Sequence, residues 1–514
     1  MKWPGLIQYG MIISLLVING SCGSSRNSFS GASRQTVGSP PAASAQLQGT
    51  QPVSYQLSTP AATNQYVFIA NTTNNTVAEI NKVTFSIKSI SVGSMPTTVD
   101  VTPDNKTAVV FNSGDYSVSL IDISSDTVTT LPVDTYDNTM VLSPTGSIAI
   151  TYFDPSKSTN LTANPTRTFN QITMLNIAAM TSQVINVNYL PQRIIFTGDG
   201  TKAVVVTTSQ IGVVSLTAGY PVTRYQLVDP SQQQIDPESL KLTADGNYAL
   251  AVIQNSNDVA VQNITTGAQS ILALGPTVTD IELTADNARA IAVNSGNGSL
   301  SFITLSTFST STIFTGLDIN RIAIAQNGTN ALLYTTNPTT TVHAGESVHV
   351  LTLTDDTIQA YPVIKGVSSV IMLPFTSTVG VSSAIIVHAG PGGSSSDPVK
   401  QFFYNHYAVT LFNMTTGVST PIALLSAPTL FAFSDDGVYA YAMMPDSDAI
   451  AVFNLLTQIS TGVYVPSPPY FVGVMPALHT AYIGESYPLG RLSFIEPDQG
   501  MLLMTITGFE LGTY

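Results

Sequence analysis

The sequence predicts an all-β fold made of about ten repeated four-stranded antiparallel units. Three observations carry that reading. Tight-turn tetrads recur along the chain, the closest about 41 residues apart, as from Thr243 to Thr284. Short alternating apolar segments bounded by Gly, Pro, Asn and Asp run between them, the pattern of half-buried strands. Helical periodicity is almost absent after residue 62.

Composition fits an exported protein. Of 514 residues, 44% are apolar and only 9% are charged, against about 25% charged in an average soluble protein. Ser, Thr, Asn and Gln must therefore supply much of the wetted surface. The net charge of −14 repels polyanions, and no Lys/Arg-rich run opposes it, so nucleic acid is excluded as a partner. Cys22 is the sole cysteine, which excludes an internal disulfide.

Lys2 precedes an apolar run over residues 6–18 that is too short to span a bilayer and is followed by small residues. It reads as a signal peptide, residues 1–21. Asn19-Gly20-Ser21-Cys22 resembles a bacterial lipobox. Gly20 and Ser21 fit, while Asn19 stands where an aliphatic residue is usual. The resemblance implies acylation of Cys22 and a membrane held through that N-terminal lipid, durable once two or three chains are attached. Gly23, rather than Asp, implies the outer membrane of the cell envelope. Residues 22–62 are rich in Ser, Gly, Ala, Pro and Gln and read as a tether.

Residues 63–514 carry the repeats. The clearest runs from Pro96 to Val133: Val99-Asp100-Val101, a turn at Thr102-Pro103-Asp104-Asn105, then strands over 107–111, 116–123 and 127–133. The turn returns at 143–146, 197–200, 243–246, 284–287, 325–328 and 434–437, where Gly and Asn tolerate the positive φ of tight hairpins. Such a period is the length of one four-stranded propeller blade. Second strands are expected near 66, 107, 147, 201, 247, 288, 329, 383, 438 and 479. This count leaves open one large ring or two.

Tyr66-Val67-Phe68-Ile69-Ala70-Asn71, Asn75-Thr76-Val77, Ile80-Asn81, Val92-Gly93 and Pro96 together resemble the YVTN family of surface β-propellers. The resemblance covers about 63–510. It implies a propeller fold and a surface setting, and it is poor in function.

With the strands of a blade named a to d from the axis outward, b–c loops and d-to-a connections share one face. Long b–c loops are expected at 154–170, 337–346 and 390–405, and a long d-to-a connection at 229–237. Insertions on a rigid scaffold are where binding groups usually sit. The candidate binding face comprises Arg167, Phe169, Phe402, Phe403 and Tyr404. The three adjacent aromatics form either a contact patch or a buried cap.

Four of the five histidines, His343, His349, His388 and His406, fall in two neighbouring units near Glu346. Their spacings match no zinc signature, so no metal is expected, with His343, His388 and His406 as the candidates if one binds. No nucleophile elbow, dinucleotide fingerprint or haem attachment motif occurs, and no cofactor is expected. The expected function is a non-enzymatic scaffold on the bacterial cell envelope, holding a protein, peptide or glycan. The alternatives are a lactonase-like or metal-dependent hydrolase at the channel mouth, drawing on Asp100, Asp280 or Glu282, and a structural surface-layer component.

Overall fold

The computed structural model describes residues 57–157, 169–187, 190–207, 209–227, 234–254, 257–336, 346–374 and 382–508. Cys22, Arg167 and His343 lie outside them.

The described residues form ten four-stranded antiparallel sheets, each from consecutive strands. The blades span 61–91, 96–132, 139–186, 193–226, 241–273, 278–314, 321–362, 367–424, 430–464 and 469–507. Every second strand begins within two residues of its expected position.

Local chemistry explains why each blade folds alike. Thr102 Oγ1 donates to Asp104 Oδ1 at 2.7 Å and accepts the Thr107 N–H at 3.0 Å, closing the a–b turn. The same hydroxyl-to-aspartate bond recurs at Thr197, Thr243, Thr284 and Ser434, over 2.6–2.7 Å. Gly246 holds φ +65° in this turn, and a Cβ there would meet Thr197 of the preceding blade at 2.6 Å. At the c–d turn, Asn81 Oδ1 accepts the N–H groups of Val83 and Thr84, both at 2.9 Å. Asp122, Asn263, Asn413 and Asn454 act identically, the Asx geometry that lets a short side chain replace a turn's backbone partner.

Second and third strands are buried on both sides, as in Val67–Ala70 and Val77–Ile80, while outer strands such as Ser309–Phe314 are largely exposed. Each blade therefore hides its flat faces against its two neighbours. A separate apolar cluster fills every junction, from Phe68, Ala70, Val99 and Val110 between the first two blades to Tyr441, Val452, Val472 and Ile483 between the last two. The tenth blade packs on the first through Leu492, Phe494, Val67, Ile69 and Ile80. Lys82 Nζ reaches Glu496 Oε1 at 2.8 Å across the same seam. The chain is one closed ten-bladed ring, which removes the two-ring alternative.

Two features depart from the sequence reading. Residues 398–404, expected as loop, form helix α1 (Pro398–Tyr404), capped by Asp397, whose Oδ1 accepts from Val399 N–H at 2.8 Å. The connection between strands Val367–Met372 and Ser383–His388 is also long, and it is an a–b turn. Not every insertion therefore lies on the b–c face.

Candidate functional site

Inner strands run from the b–c face, here the loop face, toward the tight a–b turns. Second strands run back and end at the loop face. At that end one position recurs. Asn112 Nδ2 donates to Ser117 and Ser119 at 3.0 and 2.9 Å, and Asn294 does the same to Ser299 and Ser301 at 3.0 and 2.8 Å. The register places His388 and Glu485 at this same position, two residues beyond the pairs Ile386–Thr410 and Ile483–Ser493. His388 Nδ1 donates to the Lys365 carbonyl at 2.9 Å, so Nε2 accepts from Thr410 Oγ1 at 2.7 Å. Burial lowers its pKa to about 4. His388 is thus a neutral blade-closing residue with both nitrogens occupied. Glu485 is fully buried. Its carboxyl accepts from Ser493 Oγ and, at 2.8 Å, from Ser467 N–H. Burial raises its pKa to about 7.

The neighbouring insertions of blades 7 and 8 are tied together above this layer. Lys400 of α1 pairs with Glu346 at 2.5 Å, and Tyr404 Oη donates to the same carboxylate. The buried Lys365 ammonium donates to the His406 carbonyl at 3.2 Å, satisfying a free carbonyl just past the helix end. Phe403 and Tyr404 are buried and hold α1 on the ring. Phe402 stays half-buried, its ring 4.3 Å from that of the exposed His406, whose Nδ1 donates to Phe402 O at 2.7 Å. Of the three adjacent aromatics, Phe402 keeps an open edge while the other two form the cap.

The second aromatic group lies between blades 2 and 3. Phe169 stacks on Phe153 at 4.2 Å and meets Tyr136 edge-on at 5.7 Å. The buried Asp137 fixes this connection by accepting from Thr151 and Thr173 at 2.6 and 2.9 Å. On blade 10, the Arg491 guanidinium lies 3.9 Å over the Tyr487 ring.

Sequence reasoning missed a broader signal. Among the described residues, the exposed large aromatics are Tyr116, Tyr136, Phe314 and Tyr464. Tyr116 sits in a b–c turn, Tyr136 in a d-to-a connection, and Phe314 and Tyr464 end outer strands. All four positions belong to the loop face. Exposed aliphatic residues such as Val83, Met180, Val418 and Leu456 lie in c–d turns on the opposite face. Strand assignment alone, applied to the aromatics, gives this segregation.

The carboxylates considered for hydrolysis have structural partners or stand apart. Asp280 Oδ2 accepts the Ile322 N–H of the next blade at 3.0 Å, and Glu282 pairs with Lys241 of the preceding one at 2.7 Å. Asp100 lies in another sector of the channel wall. Among the described residues, no three His, Cys, Asp or Glu side chains converge as a metal site would require.

No family model and no curated protein sequence matches the chain. It is similar to a solved eukaryotic initiation factor at 13% identity, over 87% of this chain and 94% of that one, with a TM-score of 0.47. It is similar to the dihydro-heme d1 dehydrogenase NirN in complex with DHE at 12% identity, over 69% and 72%, with a TM-score of 0.43. A third is the Cps50 (Swd1) β-propeller domain of Myceliophteria thermophila, at 9% identity over 68% and 93%, with a TM-score of 0.35. Likeness at these levels assigns neither a family nor an activity.

Proposed function

We propose that the protein is a non-enzymatic binding scaffold of the bacterial cell envelope, a YVTN-type propeller carried by a lipid on Cys22. Its loop face meets an envelope protein, peptide or glycan. One observation carries the reading: among the described residues, the exposed aromatic side chains gather on a single face of the ring. Tyr, Phe and Trp dominate contact energetics because they desolvate large area with little rotamer entropy. The cap over blades 7 and 8 and the Tyr136–Phe169–Phe153 stack add relief to that face, and ten tightly packed blades hold it rigid.

The test compares two triple variants for capture of envelope material and glycan-array binding. Tyr136→Ser, Phe314→Ser and Tyr464→Ser together should abolish capture. Val83→Ser, Val418→Ser and Leu456→Ser, on the opposite face, should leave it intact. Equal capture by both would refute the assignment. Labelled palmitate incorporated by the wild type and not by Cys22→Ser tests the anchor.

A further inference from the structure

The ring supplies its own reference for what is unusual. Ala61 pairs with Phe68, Asp100 with Val109, Lys241 with Leu250 and Glu282 with Ile291. Each partner is the third residue of its second strand. Ala61, Asp100, Lys241 and Glu282 are therefore equivalent positions on the inner strands of blades 1, 2, 5 and 6. In blades 5 and 6 this tier holds an ion pair, Lys241 Nζ to Glu282 Oε1, at 2.7 Å. In blades 1 and 2 the acid is present as Asp100, and alanine stands where the preceding blade would supply the lysine.

A concavity of about 440 Å³ opens at this place, lined among others by Ala61, Ala62, Thr98, Asp100, Phe471 and Tyr482. Its blade 1 wall includes the small side chains of the two-residue inner strand Ala61–Ala62. Asp100 is half-buried, and neither its carboxylate nor the Tyr482 hydroxyl hydrogen-bonds to any described residue. Burial pushes the Asp100 carboxyl up and the Tyr482 hydroxyl up to about 12. A carboxylate held away from water without a counter-ion gains most from a cation placed against it. Phe471 and Tyr482, with ring centroids 5.7 Å apart, offer an apolar wall to the rest of such a molecule.

We propose that this concavity binds a small primary amine. Its ammonium pairs with Asp100 in the place where blade 5 puts its lysine, and its hydrocarbon body lies against Phe471 and the two alanines. The site is on the channel wall and separate from the loop face.

The probes are n-butylamine, which is a lysine side chain in isolation, and phenethylamine. Their neutral counterparts are n-butanol and 2-phenylethanol. Saturation-transfer NMR and calorimetry on the full chain should show saturable binding of an amine and at least tenfold weaker binding of its alcohol. Asp100→Asn should weaken amine binding at least tenfold. Ala61→Lys, which rebuilds the tier of blades 5 and 6, should abolish it. Circular dichroism and thermal unfolding check that both variants keep the fold. The proposal is overturned if neither amine saturates the wild type, if the alcohols bind equally well, or if binding survives Ala61→Lys in a folded protein.

Discussion

Glu485→Gln isolates the energetic consequence of a buried charge in the repeat. Two other blades place an amide at this position, Asn112 or Asn294, which donates to serine hydroxyls of the adjacent strand. Glutamine at 485 can do likewise: its carbonyl accepts the Ser467 N–H and its amide donates to Ser493 Oγ. Ser493 then donates to Thr505 Oγ1, 2.7 Å away. No hydrogen bond is lost, so the change reports the charge. The carboxyl has a pKa of about 7 when folded against 4.5 ordinarily. The folded state therefore holds the proton more tightly than the unfolded chain. Stability contributed by this group is full below pH 4.5, falls as pH rises through that window, and is level above about pH 7. At about 1.4 kcal/mol per pKa unit, the loss is about 3 kcal/mol. Roughly 400 described residues at about 2.1 cal/mol/K each give an unfolding entropy near 0.8 kcal/mol/K, so the shift is about 4 °C. Calorimetry of both proteins between pH 4.5 and 8 should show melting temperatures that coincide at the acid end. At the alkaline end the variant should melt about 4 °C higher. A difference that does not change with pH, or a variant less stable at pH 8, refutes the reasoning.

Other sites give further expectations. His479 donates Nδ1–H to Asp498 at 2.6 Å and Nε2–H to Asp436 at 2.7 Å, joining blades 9 and 10. Burial opposes its charge, but the two carboxylates outweigh this and hold its pKa above 6.5. Its stabilisation is full below pH 6.5 and lost as pH rises through the raised value. His479→Gln should thus melt below wild type at pH 5.5 and with it at pH 9. Asn112→Ala and Asn294→Ala should each lower unfolding free energy in urea by about 1–3 kcal/mol, because each leaves two buried serine hydroxyls without their donor. The two losses should agree, as the two networks are copies. Lys400→Ala removes the clamp on Glu346 and should expose residues 390–405 to limited proteolysis while the far-ultraviolet sheet spectrum stays unchanged. Equal digestion of wild type and variant would show that the clamp does not hold α1.

The repeat was legible because its signals are local. Alternation in Thr107–Asn112 and the Thr102-to-Asn105 turn are set within a few residues, and both recur. The long a–b connection at 373–382 carries no turn tetrad of the kind that marks the a–b hairpin in most other blades, so no local signal set its length. Helix α1 had a local signal in Asp397-Pro398, a capping residue followed by proline at the first helical position, but seven residues are too few for periodicity to register. The roles of His388 and Glu485 needed strand register. Only pairing shows that they stand where other blades put asparagine, and that His388 is consumed by a carbonyl and a threonine. Likewise the aromatic face appears only when residues from b–c turns, d-to-a connections and strand ends are mapped to one side.

Closure of the ring is the step that local sequence encodes least, and its energetics follow from the same packing. Among the described residues every sheet is complete within one stretch of chain, and no strand from one end of the ring finishes a blade begun at the other. Side chains alone must join the tenth blade to the first. Most blade junctions join segments a few residues apart, whereas the seam joins the ends of the whole ring. Loop-closure entropy grows only as the logarithm of that separation, so the seam is penalised by about 4 kcal/mol relative to its neighbours. Against this stand Val67, Ile69, Ile80, Leu492 and Phe494, all fully buried there. At about 1.5–3 kcal/mol each, two or three suffice to offset the entropy. The Lys82–Glu496 pair adds direction more than energy, since burying both charges cancels much of their attraction. An extra seam of ordinary blade packing is therefore enough to close ten blades without exchanged strands.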